Sequence, residues 1–117
     1  MTTAGLVEQF IQSREGDHLS HRALAARVQA RGFSDAAVET GTQSPNSLVR
    51  EILASLEIQP RLLATLALDA DRVVRLAVAG NQLSPTHVLL GLVNDLDETV
   101  RSPARTELRW REWIKQT

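Results

Sequence analysis

Apolar positions recur at helical spacing through the middle of this chain. Leu62, Leu63, Leu66 and Ala67 follow one another at steps of one and three, and Val88, Leu89, Leu92 and Val93 repeat the same steps. Each set covers one face of a short helix. Polar punctuation separates the runs. Pro60 and Pro85 suit a first helical position, where the missing N–H costs nothing, with Ser84 as the cap before Pro85 and Ser34 as a cap upstream. Asp71 and Asp97 open a second type of helix, and Asn46 holds the same place earlier in the chain. A carboxylate there accepts hydrogen bonds from the free N–H groups of the first turn and sits at the positive end of the helix dipole. Arg75 and Arg101, four residues beyond those aspartates, are spaced for ion pairs along the same helix. Gly80 then reads as a left-handed stop.

The punctuation is periodic. Val-Arg recurs at 49–50, 74–75 and 100–101, and Asp69 and Asp71 return as Asp95 and Asp97. Residues 34–58, 59–83 and 84–109 therefore align as three units with a period of 25 to 26 residues, each reading as two short helices. The pattern predicts an all-α helical-repeat solenoid of about four helical pairs, one domain spanning residues 1–117. Its ends differ from its middle, because terminal units face solvent. Residues 1–33 read as an N-terminal capping pair, with helices over 4–13 and 20–31 and with Gly32 and Phe33 ending the second. Residues 103–117 read as a C-terminal capping helix, because Pro103 suggests a break after which Ser102 caps a fresh helix. On that helix Trp110, Trp113 and Ile114 share a face, and Ala104 and Leu108 lie opposite.

The stretch VRLAVAGNQLSPTHVLLGLVNDLDETVR, residues 74–101, resembles the leucine-rich repeat variant, a relative of the HEAT-type helical repeats. It has that family's D-x-D-x-x-V-R, its V-A-x-N and then a proline before a leucine-rich helix. The resemblance covers residues 59–103 well and 34–58 loosely. It implies a right-handed solenoid of short helical pairs, some turns being 3₁₀, without strands. Gln82 stands where a proline is usual, and Leu56 stands where Asn81 would align. A family member with an N-terminal cysteine cluster binds an iron–sulfur centre, which does not carry over to a chain with no cysteine.

Composition narrows the role by exclusion. An apolar share of 43% against 23% charged residues is that of a folded domain rather than a disordered chain. Aromatics at 3%, with no tyrosine, favour helices packed through aliphatic side chains. Thirteen basic and fourteen acidic residues leave a net charge of −1, so no bulk field draws the chain to nucleic acid or an anionic membrane. The lack of cysteine removes disulfides, thiolate metal sites and thiol nucleophiles. Met1–Phe10 carries no signal-peptide pattern, and the apolar run Leu62–Leu68 is too short to cross a bilayer. A soluble, cytoplasmic protein is expected.

Candidate chemistry is sparse. The Asp69-x-Asp71 pair reads as helix capping, since a calcium loop needs more oxygen ligands and a turn glycine. His18 and His21 beside Asp17 lack a third metal ligand at fixed spacing, and His87 reads as a surface residue. With no phosphate loop, nucleophile elbow or zincin motif, neither catalysis nor a metal or organic cofactor is expected. Residues 23–39 look superficially like a helix-turn-helix, but Ala25 to Gly32 is three residues too long, and Asp35 and Glu39 would repel phosphate. Arg101, Arg105, Arg109, Arg111 and Lys115 form a basic stretch that supports an alternative, nucleic-acid binding through the C-terminal helix.

The favoured expectation is a non-catalytic protein–protein interaction module: an adaptor, inhibitor or immunity-type protein. Positions flanking the repeated arginines vary between units and are the candidate partner-binding residues: Ser47, Arg72 and Glu98 before them, and Glu51, Leu76 and Ser102 after. Arg105, Arg109, Trp110 and Trp113 join the set, because tryptophan beside arginine matches the composition of interface hot spots. Two fates are open to the tryptophan face. It packs against residues 84–101 and seals the array, leaving Leu108 exposed, or it buries in a partner or a second copy of the chain.

Overall fold

Three side chains start three helices in one way. The Oδ1 atoms of Asn46, Asp71 and Asp97 accept the N–H two residues on, from Leu48 at 2.9 Å, Val73 at 2.8 Å and Thr99 at 2.9 Å. Each bond satisfies a first-turn donor that the helix itself cannot. The computed structural model describes residues 35–56 and 58–116. Among them the chain is all-helical, with no strand. Its helices are α1 (Asp35–Gly41), α2 (Ser47–Ala54), α3 (Pro60–Leu66), α4 (Arg72–Ala79), α5 (Thr86–Leu92) and α6 (Glu98–Gln116). The expected pair over 1–33 and the Ser34 cap lie outside the described residues.

Helix α4 packs against α2 on one flank and α6 on the other, and α5 also lies on α6. The repeated valines sit at these contacts, with Val49, Val74 and Val100 each 0% exposed. One turn further on, Leu53, Val78 and Ala104 extend the same inward stripes, fully buried. Helices α3 and α5 add Leu62, Leu63 and Leu66, then Val88, Leu89 and Leu92. Side chains of this kind contribute about 1.5–3 kcal/mol each when taken out of water.

The arginines behave differently from the helix-spacing expectation. Arg75 does not bind Asp71; its Nε and Nη2 grip the two carboxylate oxygens of Asp95 at 2.9 and 3.2 Å. Arg50 holds Asp69 in the same fork, at 2.8 and 3.2 Å. Each guanidinium also donates from Nη1 to a carbonyl six residues back, Ser44 for Arg50 and Asp69 for Arg75. Arg101 keeps the carbonyl bond, to Asp95, but its carboxylate partner is the local Glu98 and not Asp97. The aspartates are fixed in turn by their own loops, since Asp69 Oδ1 accepts Asp71 N–H and Asp95 Oδ1 accepts Asp97 N–H, both at 2.9 Å. Fork geometry and a second carbonyl bond favour these contacts over a single pair along an exposed helix face.

Asn81 joins two turns of the structure. Its Nδ2 donates to the carbonyls of Ala54 and Leu56, both at 2.9 Å, while its Oδ1 accepts Leu83 N–H. The residue is buried, so each of these bonds replaces water that cannot reach the site.

Three local expectations are corrected. Gly80 ends α4 with φ −87° and ψ −4°, right-handed, so no left-handed stop exists there. Ser84 does not cap α5; its buried hydroxyl donates to the Val78 carbonyl at 2.6 Å, and α5 starts after Pro85. Pro103 does not break the chain into two helices, because α6 runs 19 residues through it. Pro103 removes the N–H that would have met the Thr99 carbonyl, and Thr99 is exposed, on the side of the helix where that loss costs least. Val100 and Ala104, fully buried on the opposite side of the same turn, hold the helix in place.

Candidate interaction surface

Continuity through Pro103 sets the phase of everything after it. Val100 and Ala104 face the core, and a further step of four brings Leu108 onto the same stripe, partly buried against it. Arg111 pins the end of this inner side, donating to Glu107 at 3.1 Å, to Thr86 Oγ1 at 3.1 Å and to the Gln82 carbonyl at 2.9 Å. The tryptophans are thereby turned outward. Trp110 is 52% exposed, Trp113 56% and Ile114 47%, which reverses the sealing arrangement: Leu108 packs and the indoles do not. The rings stack on each other instead, centroids 5.2 Å apart and planes 21° apart, as one apolar slab.

A hollow of about 490 Å³ opens beside the slab between α5 and α6, lined by Leu90, Leu108 and Ile114 with Glu112 and Lys115 at its edge. Leu90 was not among the expected site residues, yet it is 55% exposed. Its signal in the sequence is its phase, one step off the buried Val88, Leu89 and Leu92 stripe. A second hollow of about 340 Å³, between α3 and α5, is lined by Ala64, Ala67, Leu68 and Gly91. Of its polar neighbours, Asp95 is already committed to Arg75.

The expected site residues separate into two groups. Ser47, Arg72 and Glu98 are the first residues of α2, α4 and α6, a row across three neighbouring helices. Arg72 reaches Asp97 at 3.3 Å. Bonds from the Thr99 hydroxyl and N–H, more than Arg72, hold the Asp97 carboxyl down to about 2. Glu98 binds both Arg101 and Arg105, at 2.8 and 2.6 Å, and the Arg101 bond is the main reason its pKa is lowered. Glu51 is half-buried, and Leu76 is packed against the core, so neither is a freely presented contact. Ser102 is exposed on α6. Arg109, Trp110 and Trp113 form the second group, on the C-terminal half of α6.

The basic stretch is largely paired with carboxylates. Arg101 and Arg105 meet Glu98, Arg111 meets Glu107, and Lys115 lies 3.7 Å from Glu112. Arg109 alone of the five has no carboxylate bonded to it among the described residues. A run of paired charges gives little of the counterion release that drives phosphate binding. The Asp69 and Asp71 carboxylates are engaged by Arg50 and by Val73 N–H, and among the described residues no group of three or more His, Asp or Glu is placed to hold a metal ion. Asp17, His18 and His21 lie outside those residues, as does most of the 23–39 stretch. No helix among the described residues is long and apolar enough to cross a membrane.

No protein-family model matches the chain, and neither a curated protein nor a solved structure matches it.

Proposed function

We propose that this chain is a non-catalytic protein-binding module, a short right-handed helical-repeat stack of the leucine-rich repeat variant or HEAT-like kind. It presents the outer side of α6 to another protein, as an adaptor, inhibitor or immunity-type protein does. The stacked and half-exposed pair Trp110–Trp113 carries the reading. A large apolar slab left in water is unfavourable for the isolated chain, and tryptophan beside arginine is the composition of a binding hot spot. The recurrence of the arginine–aspartate fork, Arg50 to Asp69 and Arg75 to Asp95, supports the repeat architecture. A cytoplasmic setting goes with the reading, and the cysteine-free composition fits it.

The test is affinity capture from the native cell with the parent chain and the double variant Trp110→Ala/Trp113→Ala. A protein held by the parent and released by the variant, with the helical circular dichroism unchanged, is the expected result. Equal capture by both chains overturns α6 as the binding surface.

A further inference from the structure

The outer side of α6 has a spacing as well as a composition. Thr99, Pro103, Thr106, Trp110 and Trp113 follow at steps of four, three, four and three, uncharged throughout and exposed except for the half-buried Pro103. On a helix of 19 residues, about 28 Å long, this is the a/d seam of a helix–helix contact, pointing away from the protein's own core. We infer that the occupant of this seam is a second copy of the chain, its α6 antiparallel to the first, with Trp110 of each copy against Trp113 of the other. The inference rests on the reading of α6 as a protein-docking surface and names what docks.

Charge selects the copy and its direction. A two-fold axis passing between positions 111 and 112 sets Trp110 against Trp113 and brings Arg109 of one copy within reach of Glu112 of the other, twice by symmetry. Among the described residues Arg109 is the exposed cation with no carboxylate bonded to it, and the contact of Glu112 there is a loose one to Lys115, 3.7 Å away with both side chains about 70% exposed. Arg109 is thus open to a carboxylate across the axis, and Glu112 can exchange its loose contact for one. A parallel pair would set Arg109 beside Ile114 and leave it no carboxylate in reach. The half-exposed indoles and Ile114 supply a few hundred Å² per copy, short of the ~800 Å² of a standard interface. The dimer is accordingly a weak one, populated as protein concentration rises.

The test uses the full chain. Both tryptophans of the chain lie in the seam and tyrosine is absent, so intrinsic fluorescence reports this surface alone. Sedimentation velocity should show monomers passing to dimers as concentration rises, and the tryptophan emission should shift to the blue over the same range. Arg109→Glu and Glu112→Arg should each weaken association at least tenfold, whereas an equimolar mixture of the two should recover it, because each mutant supplies what the other lacks. A monomer at every concentration overturns the second copy, as does a dimer whose emission does not move or whose mixed variants do not recover. A monomer that still binds a foreign protein through Trp110 and Trp113 overturns the second copy and leaves the protein-binding reading standing. A monomer whose capture is indifferent to both tryptophans overturns both.

Discussion

Arg75 grips Asp95 across twenty residues, Nε to Oδ2 at 2.9 Å, linking α4 to the loop that starts α6. The two side chains are only 16% and 8% exposed, so this pair lies between a surface bridge and a buried one. Removing the carboxylate leaves a half-buried guanidinium with only its carbonyl bonds. Asp95→Ala should therefore cost about 2 kcal/mol, below the 3–5 of a fully buried pair. Arg72→Ala, which removes a 3.3 Å contact from a side chain 62% exposed, should cost under about 0.5 kcal/mol. Urea denaturation of the two variants checks the ranking, and equal losses would show that the Arg75–Asp95 fork adds nothing to the fold.

The same carboxylates set the response to acid. Burial is the largest influence on Asp69 and Asp95 and raises their pKa, but bonds from the arginines and from the N–H of Asp71 and Asp97 together outweigh it, leaving both below 3.8. Asp97, bonded by Thr99, is held to about 2. Unfolded aspartates bind protons at higher pH than these folded ones, so between the two values unfolding takes up protons and stability rises with pH. The contribution is full above about pH 4 and is lost as pH falls toward 2. A melting temperature level from neutral to about pH 4 and then falling is the expected profile, with a shallower fall in Asp95→Asn.

Asn81 predicts a different asymmetry. Asn81→Ala orphans the Ala54 carbonyl in a buried place, leaves the Leu56 carbonyl with the Ile58 N–H alone, and should cost about 2 kcal/mol. Asn81→Asp should cost more at neutral pH, because a carboxylate cannot donate to either carbonyl. Thermal melts of the pair, with the aspartate variant partly recovering on acidification, check the assignment.

What the sequence discloses here is what is local. A cap bonds two residues ahead, so Asn46, Asp71 and Asp97 announced themselves, as did the valines at the start of each inward stripe. Asn81 did not, since its partners lie 25 and 27 residues away. Helix spacing offered Arg75 the wrong aspartate. Asp71 spends its Oδ1 on Val73 N–H, while the arginine, tilted toward the helix start, passes the Asp69 carbonyl at 2.8 Å and meets Asp95 beyond it. The orientation of the tryptophans depends on whether the helix continues through Pro103. A break there discards the phase set by Val100, and without that phase two apolar faces of one helix are equivalent.

Gly80 tests how far a glycine signal can be trusted. Its backbone is right-handed, and a Cβ would meet only the Leu76 and Ala77 carbonyls, at ordinary distances of 3.7 and 3.9 Å. Nothing around it demands glycine. Gly80→Ala should leave stability unchanged or raise it by up to about 1 kcal/mol, through the lower entropy of the unfolded chain. A loss of more than about 1 kcal/mol would restore the left-handed turn.

Leu108 and Trp113 lie five positions apart on α6 and should respond in opposite ways. Leu108 packs against the core beside Ala104, so Leu108→Ala should destabilise the monomer, by about 1–2 kcal/mol given its partial burial, less than the 2–5 of a fully buried leucine. Trp113 is the larger side chain, but at 56% exposure it loses chiefly its stack on Trp110, worth about 0.5–1.5 kcal/mol. Trp113→Ala should therefore cost less than Leu108→Ala, despite removing far more atoms. Val74→Asp calibrates the scale, because a charge placed at a site with 0% exposure should cost several kcal/mol. Denaturation is to be followed by circular dichroism at low protein concentration, so that self-association does not add to the apparent stability. If Trp113→Ala proved the more damaging of the two, the indoles would be holding the fold together rather than waiting for a partner, and α6 would have to turn its other face to solvent.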